Sequence, residues 1–253
     1  MGHSGNHRIV SLSPAATSIL DAIGASRHLV GVTKWCKEVA EVDGLPRLGD
    51  CWSLDTAQLI RLRPTLVLGG VPYKPETVAA ILATGIPFLA RTPRSLAHIY
   101  AEIVMLGQLV GRPAAARRLC NKMQTGFASI ARRVPRPARC PLVYCEAWPH
   151  PRISSPPWVA EMVQTAGGRF AGRAGSKIDD QAVARANPDI IVLAWTAAGT
   201  RAKASTAMNN PRWRSVSAIR NHRVHVVQDE ILNTPGPPLL RGARALLEIL
   251  HGA

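Results

Sequence analysis

The sequence predicts an α/β fold: two parallel-sheet α/β lobes joined by a single long backbone helix, with a ligand cleft between the lobes. Three observations lead there. Arg63-Pro64-Thr65-Leu66-Val67-Leu68 and Asn187-Pro188-Asp189-Ile190-Ile191-Val192-Leu193 repeat one pattern about half a chain apart. Each closes a short helical segment with a proline and enters a wholly apolar, β-branched strand of the kind that is buried on both faces. Each strand then breaks into small residues, Gly69-Gly70 in one case and Trp195-Thr196-Ala197 in the other. Strand and helix patterns also alternate along the chain, which predicts parallel sheets. Between the halves, Leu119, Met123, Phe127 and Ile130 recur at spacings of 4, 4 and 3, an amphipathic helical stripe. Some 20 residues at about 1.5 Å each make a rod of roughly 30 Å, stiff enough to restrict any swing of the lobes. The expected boundaries are an N-terminal lobe over 8–110, a linking helix over 113–134 and a C-terminal lobe over 140–253.

The elements follow in order. Arg8–Leu12 reads as a strand, and Ser13-Pro14 as the N-cap and first position of a helix that Gly24 ends. His28–Val32 is a strand leading to a loop with Trp35. Ser53 is expected to cap a helix Leu54–Leu62 ahead of the first repeat strand. A Pro/Gly loop with Tyr73, a helix Glu76–Thr84 and a strand Ile86–Ala90 complete the lobe. Ser95 opens a further helix, which Gly111-Arg112-Pro113 separates from the long one. In the second half, Leu142–Cys145 is a strand running into a loop with Trp148. Helices follow over Trp158–Thr165 and Asp180–Ala186, then the second repeat strand and a loop with Trp195. A helix ending near Arg220, a strand Arg223–Val227 and a terminal helix to about Leu250 close the chain.

Composition bounds the function. Apolar residues at 47% and charged residues at 19% describe an ordinary globular chain. No apolar run reaches the roughly 18–20 residues of a membrane span. Met1–His7 is polar and runs directly into the first strand, which leaves no room for an export signal, so the chain as written is expected in the cytoplasm. A cloning remnant, Met1-Gly2-His3-Ser4, in place of a native leader would instead allow a periplasmic or lipid-anchored protein. Cys36, Cys51, Cys120, Cys140 and Cys145 are odd in number and form no C-x-x-C pair, which argues for reduced, mostly buried thiols. The net charge of +15 favours anionic partners. The densest basic group, Arg112, Arg117, Arg118, Lys122, Arg132, Arg133, Arg136 and Arg139, lacks interleaved aromatics and reads as a solvated helix face rather than a nucleic-acid footprint.

The candidate site is aromatic. Six of the twelve aromatic residues are tryptophan. Trp35, Trp52, Trp148 and Trp195 fall in loops after or between strands, and Trp158 opens a helix beside another such loop. Loops at the carboxyl ends of parallel strands form the binding face of such sheets. Indoles there offer flat apolar area at little entropy cost. Trp35, Trp52 and Tyr73 would line the N-lobe side and Trp148, Trp158 and Trp195 the C-lobe side, with the Ser13 hydroxyl meeting polar groups of a large, flat ligand. Each indole taken singly is as readily a plug for its own lobe. No catalytic constellation or metal-binding motif emerges. His222 and His225 are spaced to face opposite sides of a strand, and His150 in the Trp148 loop reads as a solvated histidine.

These residues carry a family resemblance. Arg8-Ile9-Val10-Ser11-Leu12-Ser13-Pro14-Ala15-Ala16-Thr17 and Leu29-Val30-Gly31-Val32 resemble the opening of class III ABC-type substrate-binding proteins. Ala166-Gly167-Gly168, Asn187-Pro188-Asp189, Arg223–Val227 and Pro235-Gly236-Pro237 resemble later segments. Ser53-Leu54-Asp55, Trp148, Trp158 and Pro211-Arg212-Trp213 are most similar to the cobalamin (vitamin B12) binding branch. The resemblance, over about 8–252, implies a monomeric, non-enzymatic binder that holds a corrinoid as ligand, for uptake or intracellular handling. It also implies an ABC permease as partner, docked through one surface glutamate per lobe, yet the matching positions hold Ala57 and Gln181. An iron–siderophore or heme carrier is the alternative ligand reading. A corrinoid-handling enzyme, or an adaptor using the basic helix to meet nucleic acid, is the alternative of another class.

Overall fold

A computed structural model describes residues 7–135, 140–196 and 202–252. Met1-Gly2-His3-Ser4, Arg136, Arg139 and Ala197, named above, lie outside the described residues. The chain divides into two compact units, with the division after Lys122, inside the long helix; the short segment Arg94–Leu96 belongs with the second unit.

The first unit contains β1 (Ile9–Ser11), α1 (Pro14–Ala22), β2 (Leu29–Thr33), β3 (Arg47–Leu48), α2 (Thr56–Arg61), β4 (Leu66–Gly69), α3 (Pro75–Ala83) and β5 (Phe88–Ala90). The helices α4 (Leu96–Leu109) and α5 (Pro113–Arg132) follow. Its sheet has the order β3-β2-β1-β4-β5, with every adjacent pair parallel. The second unit contains β6 (Leu142–Pro149), β7 (Arg152–Ser154), α6 (Pro157–Thr165), β8 (Arg169–Phe170), α7 (Asp180–Ala186) and β9 (Ile190–Leu193). It continues with α8 (Ala204–Met208), α9 (Ser217–Arg220), β10 (Val224–Val226), α10 (Asp229–Asn233) and α11 (Leu239–His251). Its sheet runs β10-β9-β6-β7, with β8 beside the start of β6. The pair β6–β7 is antiparallel, a departure from the purely parallel expectation.

The internal repeat holds down to backbone dihedrals. Helices α2 and α7 each close on a non-glycine residue in the left-handed region, Arg63 and Asn187, both with φ 47°. Asparagine tolerates that region, and its Oδ1 accepts the backbone N–H of Ser217 at 2.8 Å. Arginine does not tolerate it readily. There, Arg8 spans the turn, donating from Nε to the carbonyl of Arg63 and from Nη2 to that of Leu62. Both turns deliver strands, β4 and β9, that are buried along their whole length. Each fully buried Leu, Val or Ile contributes about 1.5–3 kcal/mol.

Ser13 caps α1 as expected, its Oγ accepting the N–H of Ala16 at 3.3 Å. Ser53 does not cap α2. The Asp50 carboxylate accepts from both the backbone N–H and the hydroxyl of Ser53, so that side chain is committed to the preceding turn. Asp55 takes the cap, accepting the N–H of Ala57 at 2.9 Å. The apolar stripe of α5 is buried at Leu119, Met123, Phe127 and Ile130. Its basic residues Arg117, Arg118, Lys122 and Arg132 are exposed, as are Arg112 and Arg133 at its ends. Four cysteines are buried and Cys140 is exposed.

One buried carboxyl makes the first unit sensitive to pH. Glu102 of α4 is buried, and that burial raises its pKa from 4.5 to about 7, against the opposing pull of the Arg91 guanidinium. Between those two values the folded chain keeps a proton that the unfolded chain has released. Stability therefore falls as pH rises through the window and is level above it, with a total change of up to about 3 kcal/mol. Glu102→Gln is expected to remove this slope and to be more stable than the parent protein at pH 8, as read from urea midpoints at pH 5 and pH 8.

Candidate functional site

In the first unit the carboxyl ends of β1, β2, β3 and β4 feed the segments that carry the predicted aromatic residues and Ser13. Parallel pairing places all of these segments at one edge of the sheet. A buried polar cluster braces that edge from below. Thr17 Oγ1 donates to Ser11 Oγ at 2.8 Å and lies 3.1 Å from Cys36 Sγ, which is 3.3 Å from Thr33 Oγ1. Thr33 Oγ1 also accepts the N–H of Trp35 at 3.3 Å and so sets the turn that carries this half-buried indole.

Trp52 follows β3 in a turn tied by Asp50, whose Oδ1 accepts the Trp52 N–H at 3.0 Å. The indole is 49% exposed, and the Lys74 ammonium lies 5.3 Å from its ring centroid. Tyr73, after β4, is 50% exposed and borders a shallow, mostly apolar hollow of about 240 Å³ that Gly70, Val71, Val78, Phe88 and Ala90 also line. Glycine is required at the end of β4. A Cβ on Gly69 would lie 2.5 Å from the Phe88 ring and 3.0 Å from Cys51 Sγ. A Cβ on Gly70 would meet the Ser13 hydroxyl at 3.5 Å, so that hydroxyl adjoins the hollow. Ser13, Tyr73 and the hollow thus form one neighbourhood, while Trp35 and Trp52 stand on separate turns of the same edge.

In the second unit, Trp148 is on a strand rather than in a loop. The β6 backbone continues through it to Pro149 before turning back as β7. Its ring is 40% exposed, and its indole N–H donates to the carbonyl of His150 at 2.9 Å. His150 itself is exposed at the tip of this hairpin. Trp195, directly after β9, is half-buried. Trp158 corrects the expectation. It is only 5% exposed, and its indole N–H donates to the carbonyl of Leu232 at 2.9 Å. The reason is the β6–β7 reversal, which carries the chain back from the carboxyl edge before α6 begins, so Trp158 enters the lobe core. The sixth indole, Trp213, is fully buried as well.

A buried polar network, not expected from the aromatic pattern, reaches Trp195. Glu146 of β6 has no solvent exposure, and Tyr144, Arg152 and Trp195 all donate to it. Arg152 also pairs with Asp180 at the start of α7. Burial and the Glu146 carboxylate both push the Tyr144 hydroxyl pKa far up, so it remains a donor. Burial opposes the charge on Asp180, yet the Arg152 and Asn210 hydrogen bonds prevail and hold its pKa below the ordinary value. A sequence signal for this network existed. Glu146 is the one charge in an otherwise apolar strand, and a charge buried in a sheet has to be paired.

Among the described residues no group of three or more His, Cys, Asp or Glu side chains is placed to hold a metal ion. His222 sits in a turn at φ 53° ahead of β10, which carries His225. Burial lowers the His225 pKa and favours a neutral ring. The positions Ala57 and Gln181 are both exposed in the first turns of α2 and α7. The contrast among the indoles is measurable. Trp158→Ala is expected to cost about 3–5 kcal/mol in chemical unfolding, and Trp52→Ala less than about 0.5 kcal/mol.

A family model described as periplasmic binding protein matches residues 9–231. The uncharacterized ABC transporter substrate-binding lipoprotein YvrC of Bacillus subtilis is 27% identical over 256 residues, covering 96% of this chain and 80% of that protein. The vitamin B12-binding protein of Photorhabdus laumondii is 24% identical over 138 residues, 52% of this chain and 50% of that relative, so the match spans about half of its length. Among solved structures, the periplasmic heme-binding protein RhuT from Roseiflexus sp. RS-1, in apo form, matches with a TM-score of 0.78 and 26% identity, covering 97% of each chain. The two α/β parallel-sheet lobes and the extent of the family match agree: this chain belongs to the periplasmic binding protein family.

Proposed function

We propose that this chain binds a planar metal tetrapyrrole, foremost cobalamin, without catalysing a reaction on it. The supporting observation is the set of aromatic rings left open at the carboxyl edges of the two sheets, with Trp52, Tyr73 and Trp148 exposed and Trp35 and Trp195 half-buried. Open indoles of this number are costly to leave in water and suit a ligand with a broad apolar face. Ser13 and the backbone of Gly70 would meet polar groups at the ligand rim, as specificity in an apolar site rests on a few placed polar groups. Relatives named for vitamin B12 binding point the same way.

A second reading, heme, is favoured by two different observations. The likeness to the heme-binding RhuT extends over nearly the whole chain. A phenol and an imidazole, Tyr73 and His150, are also exposed at the carboxyl ends of β4 and β6, and both are side chains able to ligate iron. Hand-over to an ABC permease belongs to the same proposal, through groups other than a carboxylate at Ala57 or Gln181.

Absorbance titration with cyanocobalamin, hemin and a ferric catecholate tests the reading. Cyanocobalamin is expected to saturate one site per chain, and Trp52→Ala and Trp148→Ala are each expected to weaken it about tenfold, a loss of about 1.4 kcal/mol. Saturation by hemin alone, with loss of its spectral shift in Tyr73→Phe or His150→Ala, would establish the second reading. Binding of neither tetrapyrrole overturns both.

A further inference from the structure

Each oxygen of the Glu146 carboxylate has an assigned partner. Oε1 accepts the indole N–H of Trp195 at 2.9 Å. Oε2 accepts the Tyr144 hydroxyl at 2.8 Å and Nη1 of Arg152 at 2.7 Å. Arg152 is pinned in turn. Its Nε donates to Asp180 Oδ1 at 2.6 Å, and its guanidinium lies 4.4 Å from the centroid of the Trp213 ring. Asn210 Nδ2 holds the same Asp180 oxygen at 3.0 Å, and the carbonyl of Asp180 accepts the Trp213 indole N–H at 3.1 Å. The network thus ties β6, β7, the start of α7 and the turn before α9 to one indole at the carboxyl end of β9.

A buried ion pair is a poor device for stability, because well-packed apolar residues generally serve as well. What a carboxylate provides and an alkyl group does not is a direction. A single acceptor aimed at the indole N–H selects one ring orientation out of several. Trp195 is the only one of the five open aromatics whose polar edge is held by a buried charge, among the described residues.

We propose that Glu146 is a positioning residue for ligand binding, turning the N–H edge of Trp195 inward so that the remaining ring surface stands fixed at the carboxyl edge of the sheet. Arg152 and Tyr144 serve it by holding the carboxylate still. The ordering cost of the ring is then met on folding instead of on binding, which is the general advantage of preorganisation. The role in affinity rests on the tetrapyrrole reading; the orientation of the ring does not.

The test is fluorine NMR of protein labelled with 5-fluorotryptophan, with the Trp195 line assigned from Trp195→Phe. In the parent protein Trp195 is expected to give one narrow line, and its indole N–H to exchange slowly with solvent. Glu146→Gln keeps the side-chain shape and removes the charge. It is expected to shift or broaden the Trp195 line while those of Trp52 and Trp158 stay in place. It is also expected to weaken cyanocobalamin or hemin, whichever the parent binds, about tenfold. Because both changes act through one ring, the double variant with Trp195→Phe is expected to bind no more weakly than Trp195→Phe alone. An unmoved Trp195 line, or losses that add in full, overturns the proposal. Should Glu146→Gln not fold, the parent N–H still decides, since fast exchange overturns the proposal and slow exchange supports it. If neither tetrapyrrole binds the parent, the functional reading fails, and the line and the exchange rate still report on the positioning.

Discussion

Parallel strand pairing is the constraint on which the rest of the molecule depends. In a parallel ladder every strand ends at the same edge, so the segments that follow β1, β2, β3 and β4 cannot scatter. The same rule acts on β6 and β9 in the second unit. Apolar strands buried on both faces make the arrangement stable, and the helices that return the chain leave only the carboxyl-edge segments free to vary. An indole placed in such a segment is shown at that edge whatever the details of its turn. This is why Trp35 and Trp52, which sit on unrelated turns, share an edge.

Polar chemistry inside each unit supports that display. In the first unit it is a neutral cluster of one serine, two threonines and a thiol, centred on Thr17 and Cys36. In the second it is charged, centred on Glu146 and Arg152. Both lie just under the edge, where strands end and backbone groups would otherwise lose their partners. Burial makes either arrangement costly unless each group is satisfied. In both cases the satisfied group reaches one aromatic residue, through the Trp35 backbone in one unit and the Trp195 indole in the other.

Much of this was legible from residues alone, for identifiable reasons. The repeat prolines, the apolar strands and the stripe on α5 are local patterns, and local patterns carry their own period. The burial of Trp158 is not legible in the sequence because it depends on β7, a three-residue strand with no periodic signature that reverses the chain beside β6, pairing Ser154 with Glu146. Ser53 has the local pattern of a cap, yet Asp50 competes for the same hydroxyl from three residues upstream. The Glu146 network joins residues from 144 to 213, a separation that no window on the sequence spans, although the lone charge in β6 marked its centre. Two to five residues do not by themselves establish a period, and β3, β7, β8, α8 and α10 leave no legible signature in the sequence.

On the proposed function, the open aromatic residues Trp52 and Trp148 are covered when the tetrapyrrole binds. Hydroxyl-radical footprinting by mass spectrometry, with and without a stoichiometric amount of the bound tetrapyrrole, addresses it directly. Oxidation of Trp52 and of Trp148 is expected to fall severalfold, while buried Trp158 and Trp213 stay unmodified in both states. Unchanged oxidation of Trp52 or of Trp148 in the presence of a bound ligand would contradict it.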